Sequence, residues 1–112
     1  MRRENRCYIS GPITGKEPEE YLAIFDQWAF NIVQSTGWQV INPARVNYEM
    51  PLDTDYEEYM EMCETMMRMC DRIFLIPGWM QSKGAVYERH FAKIHGLKVF
   101  VLEGDEIKET KD

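Results

Sequence analysis

The chain alternates short apolar runs with longer segments whose apolar residues recur at helical spacing. Cys7-Tyr8-Ile9-Ser10 is a short β-prone run closed by Gly11-Pro12, and it predicts a first strand followed by a loop that Gly15-Lys16-Glu17-Pro18 prolongs. Tyr21, Phe25, Trp28, Ala29, Ile32 and Val33 then fall on one face of a helix, which Gly37 ends as a C-terminal cap. Trp38-Gln39-Val40-Ile41 reads as the second strand, stopped by Asn42-Pro43, and the stretch to Asp55 reads as a long loop. A second helix is predicted from about Asp55 to Cys70, with Tyr59, Cys63, Met66, Met67 and Cys70 as its apolar stripe. Arg72 to Ile76 is nearly all apolar, as buried parallel strands are. Pro77-Gly78-Trp79 turns out of it. A helix from about Gly84 to His95 follows, then Gly96 and a fourth strand, Leu97–Leu102. The charged tail, 103–112, reads as frayed or docked on a partner.

Strands separated by helices predict one α/β domain over residues 1–112. The expected architecture is a Rossmann- or flavodoxin-like three-layer sandwich around a mainly parallel sheet of four to five strands. Ligands of such sheets bind beyond the carboxyl ends of the strands. That rule puts the loops Ser10–Gly15, Asn42–Asp55 and Pro77–Gly84 around the site. It puts Asp71 at the opposite end, as a structural residue.

Composition narrows the partners. With 112 residues and 45% hydrophobic content the chain can build a core, yet no apolar run approaches the roughly 20 residues of a membrane span. The basic start, Met1 to Arg6, precedes too short an apolar stretch for a signal peptide, so a cytoplasmic protein is expected. A net charge of −6 argues against a nucleic-acid polymer as partner but not against one small anion. Cys7, Cys63 and Cys70 have no metal-ligand spacing and read as reduced, buried thiols. His90 and His95 have no metal partner at useful spacing and read as surface or capping residues. No metal or cofactor is expected.

Two segments carry candidate chemistry. Ser10-Gly11-Pro12-Ile13-Thr14-Gly15 offers glycines for close backbone approach and hydroxyls for phosphate or sugar oxygens, although a tight turn without a ligand explains it equally well. Ser82-Lys83-Gly84-Ala85-Val86-Tyr87-Glu88 puts a hydroxyl and free N–H groups at a helix start, and Glu88 six residues later. It is an anion site or a helix cap, and Glu88 is a cleft carboxylate or a solvated one. Trp79 either stacks on a base or anchors its loop on the sheet. The methionines at 60, 62, 66, 67 and 69 surround the second helix, so some face outward, which suits a subunit contact.

Tyr8–Gly15 resembles the first-strand motif of the nucleoside 2-deoxyribosyltransferase-like superfamily, and Ser82–Glu88 resembles its nucleophile segment. With Asn42-Pro43 and Leu75-Ile76-Pro77-Gly78-Trp79, the chain looks especially like a phage and bacterial branch of that superfamily, from about Cys7 to Leu102. The resemblance implies a small-molecule nucleotide or nucleoside as ligand. It implies Glu88 as nucleophile at the anomeric carbon, Tyr8 orienting it or assisting the leaving base, and Ser82 meeting a 5′-phosphate. Ser10, Gly11, Pro12, Ile13, Thr14, Gly15, Asn42, Gly78, Trp79 and Gly84 would complete the substrate site. The implied activity is hydrolysis of the N-glycosidic bond of a (deoxy)nucleoside 5′-monophosphate. The alternatives are 2-deoxyribosyl transfer, or nucleotide binding by a degenerate site. Together with the Met surface, the resemblance implies a homodimer or higher homo-oligomer. It departs at Cys63, where the enzymes carry an Asp. Glu64, or Asp55, is then the candidate proton-delivering carboxylate, and the alternative is slow or absent activity.

Overall fold

The structure is a computed structural model and describes residues 3–111. Met1, Arg2 and Asp112, the ends of the domain read from the sequence, lie outside the described residues. The elements are β1 (Arg3–Ser10), α1 (Pro18–Thr36), β2 (Gln39–Ile41), α2 (Pro43–Glu49), α3 (Tyr56–Arg68), β3 (Cys70–Leu75), α4 (Lys83–Ile94), β4 (Lys98–Glu103) and β5 (Glu106–Thr110). A single 3₁₀ turn, Trp79–Gln81, precedes α4. The sheet order is β2-β1-β3-β4-β5, with β1 to β4 parallel and β5 antiparallel to β4. The first four strands follow the order of a doubly wound sheet whose switch point lies between β1 and β3.

Alternation along the strands sorts the core into two layers. Tyr8, Ile73, Leu75 and Val99 point to the face covered by α3 and α4, where they meet Cys63, Met67, Phe91 and Ala92. Cys7, Ile9, Phe74, Ile76 and Phe100 point to the face of α1, against Tyr21, Phe25 and Ile32. Helices on both faces are thus required by strands that are apolar on both sides. Gly37 ends α1 at φ 75°, a left-handed conformation that favours glycine.

Two expectations are corrected. The stretch read as a loop from Asn42 to Asp55 contains α2: the Asn42 side chain accepts from Ala44 N at 3.1 Å and Pro43 opens the helix. An Asn-Pro pair that stops a strand is equally a helix cap with proline in the first turn, where its missing N–H costs nothing. The tail read as frayed or docked on a partner forms, over Glu106–Thr110, the edge strand β5, joined to β4 through Gly104 at φ 66°. Its Ile107 packs against the α1-side core, and a single inward apolar residue among charges gave little periodicity to detect. No helix among the described residues is long and apolar enough to cross a membrane.

Asp71 sits at the amino end of β3, away from the strand ends that face the cleft. Its carboxylate accepts from Asn5 N (3.0 Å), Arg6 N (3.2 Å) and both arms of the Arg72 guanidinium (2.9 and 3.2 Å). It thereby pins an irregularity in the β1–β3 register at which Asn5 takes φ 57°. Arg72 is buried and lies over the rings of Trp38 and Phe100.

Candidate functional site

A cavity of about 150 Å³ opens at the carboxyl end of β1. Glu88, on the inward face of α4 with Ala85, Phe91 and Ala92, forms part of its wall. Glu88 is only 7% exposed, and its carboxylate is held from both sides. Tyr8 Oη donates to Oε2 at 2.8 Å and Ser10 Oγ donates to Oε1 at 2.6 Å. Both donors come from β1, two residues apart, so they share one face of the sheet.

Burial raises the Glu88 pKa above the ordinary carboxylate value, and the bonds from Ser10, Tyr8 and Cys63 work against that rise. Burial, reinforced by the Glu88 charge, likewise pushes the Tyr8 hydroxyl well above its usual value. Tyr8 is therefore a donor at all ordinary pH.

The structure brings many of the residues singled out in the sequence to this cavity. Tyr8, Gly11, Ile13, Thr14, Ser82, Gly84 and Glu88 line it. The Ser82 hydroxyl caps α4, accepting from Ala85 N at 3.2 Å. Ser10 reaches the site through Glu88 rather than as a separate phosphate contact. Gly11 allows close packing: a Cβ there would stand 2.9 Å from Ile76 Cδ1 and 3.0 Å from Ile76 Cβ. Gly11→Ala is expected to cost about 1–3 kcal/mol through this overlap, read by denaturant unfolding.

Other candidates lie elsewhere. Pro12, Gly15, Asn42, Gly78 and Trp79 are not part of the cavity wall. Asn42 caps α2 and donates to Asp26 Oδ1 at 3.0 Å. Gly78, at φ 94°, starts the 3₁₀ turn, and Trp79 packs against the core beneath the Arg89 guanidinium, as a loop anchor does. Asp55 caps α3 in a reciprocal box with Glu58. Glu64 points away from Glu88; it accepts from Tyr87 Oη and borders a separate depression with Tyr56, Met60 and Glu61.

Cys63 faces the cavity, next to Tyr8 and Glu88. Burial, and then the Glu88 charge, push its thiol up to about 12. Burial also pushes Cys70 up to about 12 and Cys7 further still, and all three are free. The thiolate is the reactive form. All three are therefore expected to resist a thiol-titrating reagent in the native protein at pH 8 and to react together once it is unfolded. Fast native labelling of one thiol would contradict this.

The remaining wall is not named residue by residue in the sequence, although Pro43 and Asn47 fall in the Asn42–Asp55 stretch expected around the site. Tyr21 and Phe25 come from α1, Pro43 and Asn47 from α2, and Tyr56, Tyr59 and Met60 from α3. The aromatic residues were read as core or left aside, because helical periodicity cannot tell a core face from a cavity wall. Asn47 was hidden by the loop reading of its helix. His90 and His95 are exposed, and His95 stacks on Phe91 at 4.1 Å. No cluster that could hold a metal ion occurs among the described residues.

The family model described as "Domain of unknown function (DUF4406)" matches residues 5–101, so the chain belongs to that family. No curated protein matches the chain, and no solved structure does.

Proposed function

We propose that this DUF4406 protein cleaves the N-glycosidic bond of a (deoxy)nucleoside 5′-monophosphate, with Glu88 as the nucleophile. The observation that carries the reading is the Glu88 carboxylate, buried on a cavity wall and fixed by Tyr8 and Ser10 at 2.8 and 2.6 Å. Breaking an N-glycoside builds oxocarbenium character at the anomeric carbon. A carboxylate held in a dry site stabilises that charge and traps the sugar as a covalent ester, which water then hydrolyses. A carboxylate with both oxygens already oriented has less reorganisation to undergo. The Tyr8 hydroxyl orients Glu88 and is a neutral proton donor beside it, available to the departing base.

A cavity of about 150 Å³ takes a single ring of benzene size. The enclosed part therefore suits one ring of the substrate, stacked among Tyr21, Phe25, Tyr56 and Tyr59, with the rest in the mouth near Thr14, Ser82 and Gly84. The fold and strand order support a Rossmann-like site at the β1/β3 switch point. The shallow apolar groove of Val46, Met50, Met62 and Met66 supports self-association through α2 and α3.

A second reading, nucleotide binding without turnover, is favoured by one observation. The wall beside Glu88 carries the Cys63 thiol, and the adjacent carboxylate, Glu64, is turned to Tyr87. A chromatographic screen for free base, run over nucleosides and nucleotides beside Glu88→Ala, separates the readings. Base released by the wild type and not by the variant supports the hydrolase. Faster nucleoside consumption on adding a second free base would indicate transfer instead. Binding without release across the panel would leave the binding protein.

A further inference from the structure

The side chain of Asn47 is half-buried on α2, beside the Glu88 cavity. It projects from α2 into the cavity wall, and its Oδ1 is buried with no hydrogen-bond partner. Buried acceptors in native proteins are nearly always satisfied, and one left alone calls for a missing donor. The Asn47 amide lies beside the Cys63 thiol, and both residues line the cavity. Its unpartnered oxygen is a lone acceptor.

The position of that acceptor matters. Cys63 lies against Glu88, and Asn47 lies against Cys63. Asn47 is thus one side chain removed from the carboxylate, where a ring attached to the carbon facing Glu88 would present its edge. The wall also carries the rings of Tyr21, Phe25, Tyr56 and Tyr59.

Building on the nucleotide reading of the Glu88 cavity, we propose that Asn47 is a specificity residue that accepts a hydrogen bond from the exocyclic amino group of the base. The substrate class is accordingly a nucleotide whose base carries an exocyclic amino group: adenine, cytosine or guanine. A lone acceptor selects this group for a geometric reason. An amino group protrudes from the ring and offers two N–H donors. The ring N–H of uracil lies recessed between two carbonyl oxygens, and that of hypoxanthine is flanked by one; these oxygens would face Oδ1 with like partial charge.

The test compares pairs that differ at this group, AMP with IMP, GMP with IMP and dCMP with dUMP, by calorimetric binding to the wild type and to Asn47→Ala. Wild type is expected to bind at least one amino ligand about tenfold tighter than its oxo partner, and Asn47→Ala is expected to bring the two within about twofold. The thermal midpoint of ligand-free Asn47→Ala should equal or exceed that of the wild type, because an unsatisfied acceptor is removed. A residue that merely braced α2 would lower it. Equal wild-type binding of both members, or a preference that survives Asn47→Ala, overturns the inference. Absence of binding by every nucleotide overturns it together with the reading of the site. A preference lost in Asn47→Ala without base release by the wild type upholds it and overturns only the hydrolase.

Discussion

Glu88→Gln is expected to slow release of base from a nucleoside 5′-monophosphate by roughly 10³-fold or more, with ligand affinity held within about tenfold. The amide keeps the shape of the carboxyl and can still accept from Tyr8, but it is a far weaker nucleophile. The same variant has a stability signature of definite sign. Burial raises the pKa of Glu88 in the folded protein, so the native state holds this proton more tightly than the unfolded chain does. Its contribution is therefore most favourable below the unfolded carboxylate value. It declines as pH rises from there through the raised native value. Glu88→Gln removes that decline. Thermal unfolding at pH 8 should find the variant at least as stable as the wild type, by an amount that shrinks towards pH 4. Unchanged base release would remove Glu88 from the chemistry. A variant that is less stable at pH 8 than at pH 4, relative to wild type, would contradict the burial argument.

Asp71→Ala should have the opposite character, a large loss of stability with the site intact. The substitution deprives the Arg72 guanidinium, whose side chain is 9% exposed, of its bidentate partner and frees two backbone N–H groups of β1. Breaking a buried ion pair by removing one partner costs about 3–5 kcal/mol. Asp71 itself is 19% exposed, so water offsets part of that loss and about 3 kcal/mol is expected. For a domain of this size that corresponds to a fall of roughly 10 °C or more in the thermal midpoint. Base release per folded molecule should stay within about twofold of wild type, because Asp71 stands at the other end of the sheet. Burial alone would raise the Asp71 pKa, but the bonds from Arg72, Asn5 and Arg6 outweigh it and hold the carboxyl below its usual value. This stabilisation is present above the unfolded value of 3.8 and fades as pH falls towards the lower native value. Asp71→Asn should accordingly show a shallower loss of stability in acid than wild type does. A stable Asp71→Ala with impaired base release would reverse the assignment.

The amino-acid order alone marked β1 to β4, the helices α1, α3 and α4, and the end of the sheet at which polar residues matter. These are written in local patterns: apolar runs, a 3.6-residue stripe, and glycines past helix ends. The same logic separated Glu88, after a strand end, from Asp71, before one. The antiparallel β5 and the helix α2 escaped it, since one is nearly all charged and the other begins with residues that also stop strands.

What only the tertiary structure decided is which side chains meet. Tyr8 and Ser10 lie 80 and 78 residues from Glu88 in sequence; the motif resemblance implies that Tyr8 orients Glu88, but nothing local announces that Ser10 closes on the other oxygen of the same carboxylate. Cys63 and Glu64 are neighbours in the chain, yet the helix turns about 100° per residue, so one faces Glu88 and the other Tyr87. The burial that raises the Glu88 pKa and the orphaned oxygen of Asn47 likewise belong to the packed molecule. Periodicity determines which residues face inward. Hydrogen bonding and desolvation are set by atoms brought together across the sheet, and that geometry exists only once the chain has folded.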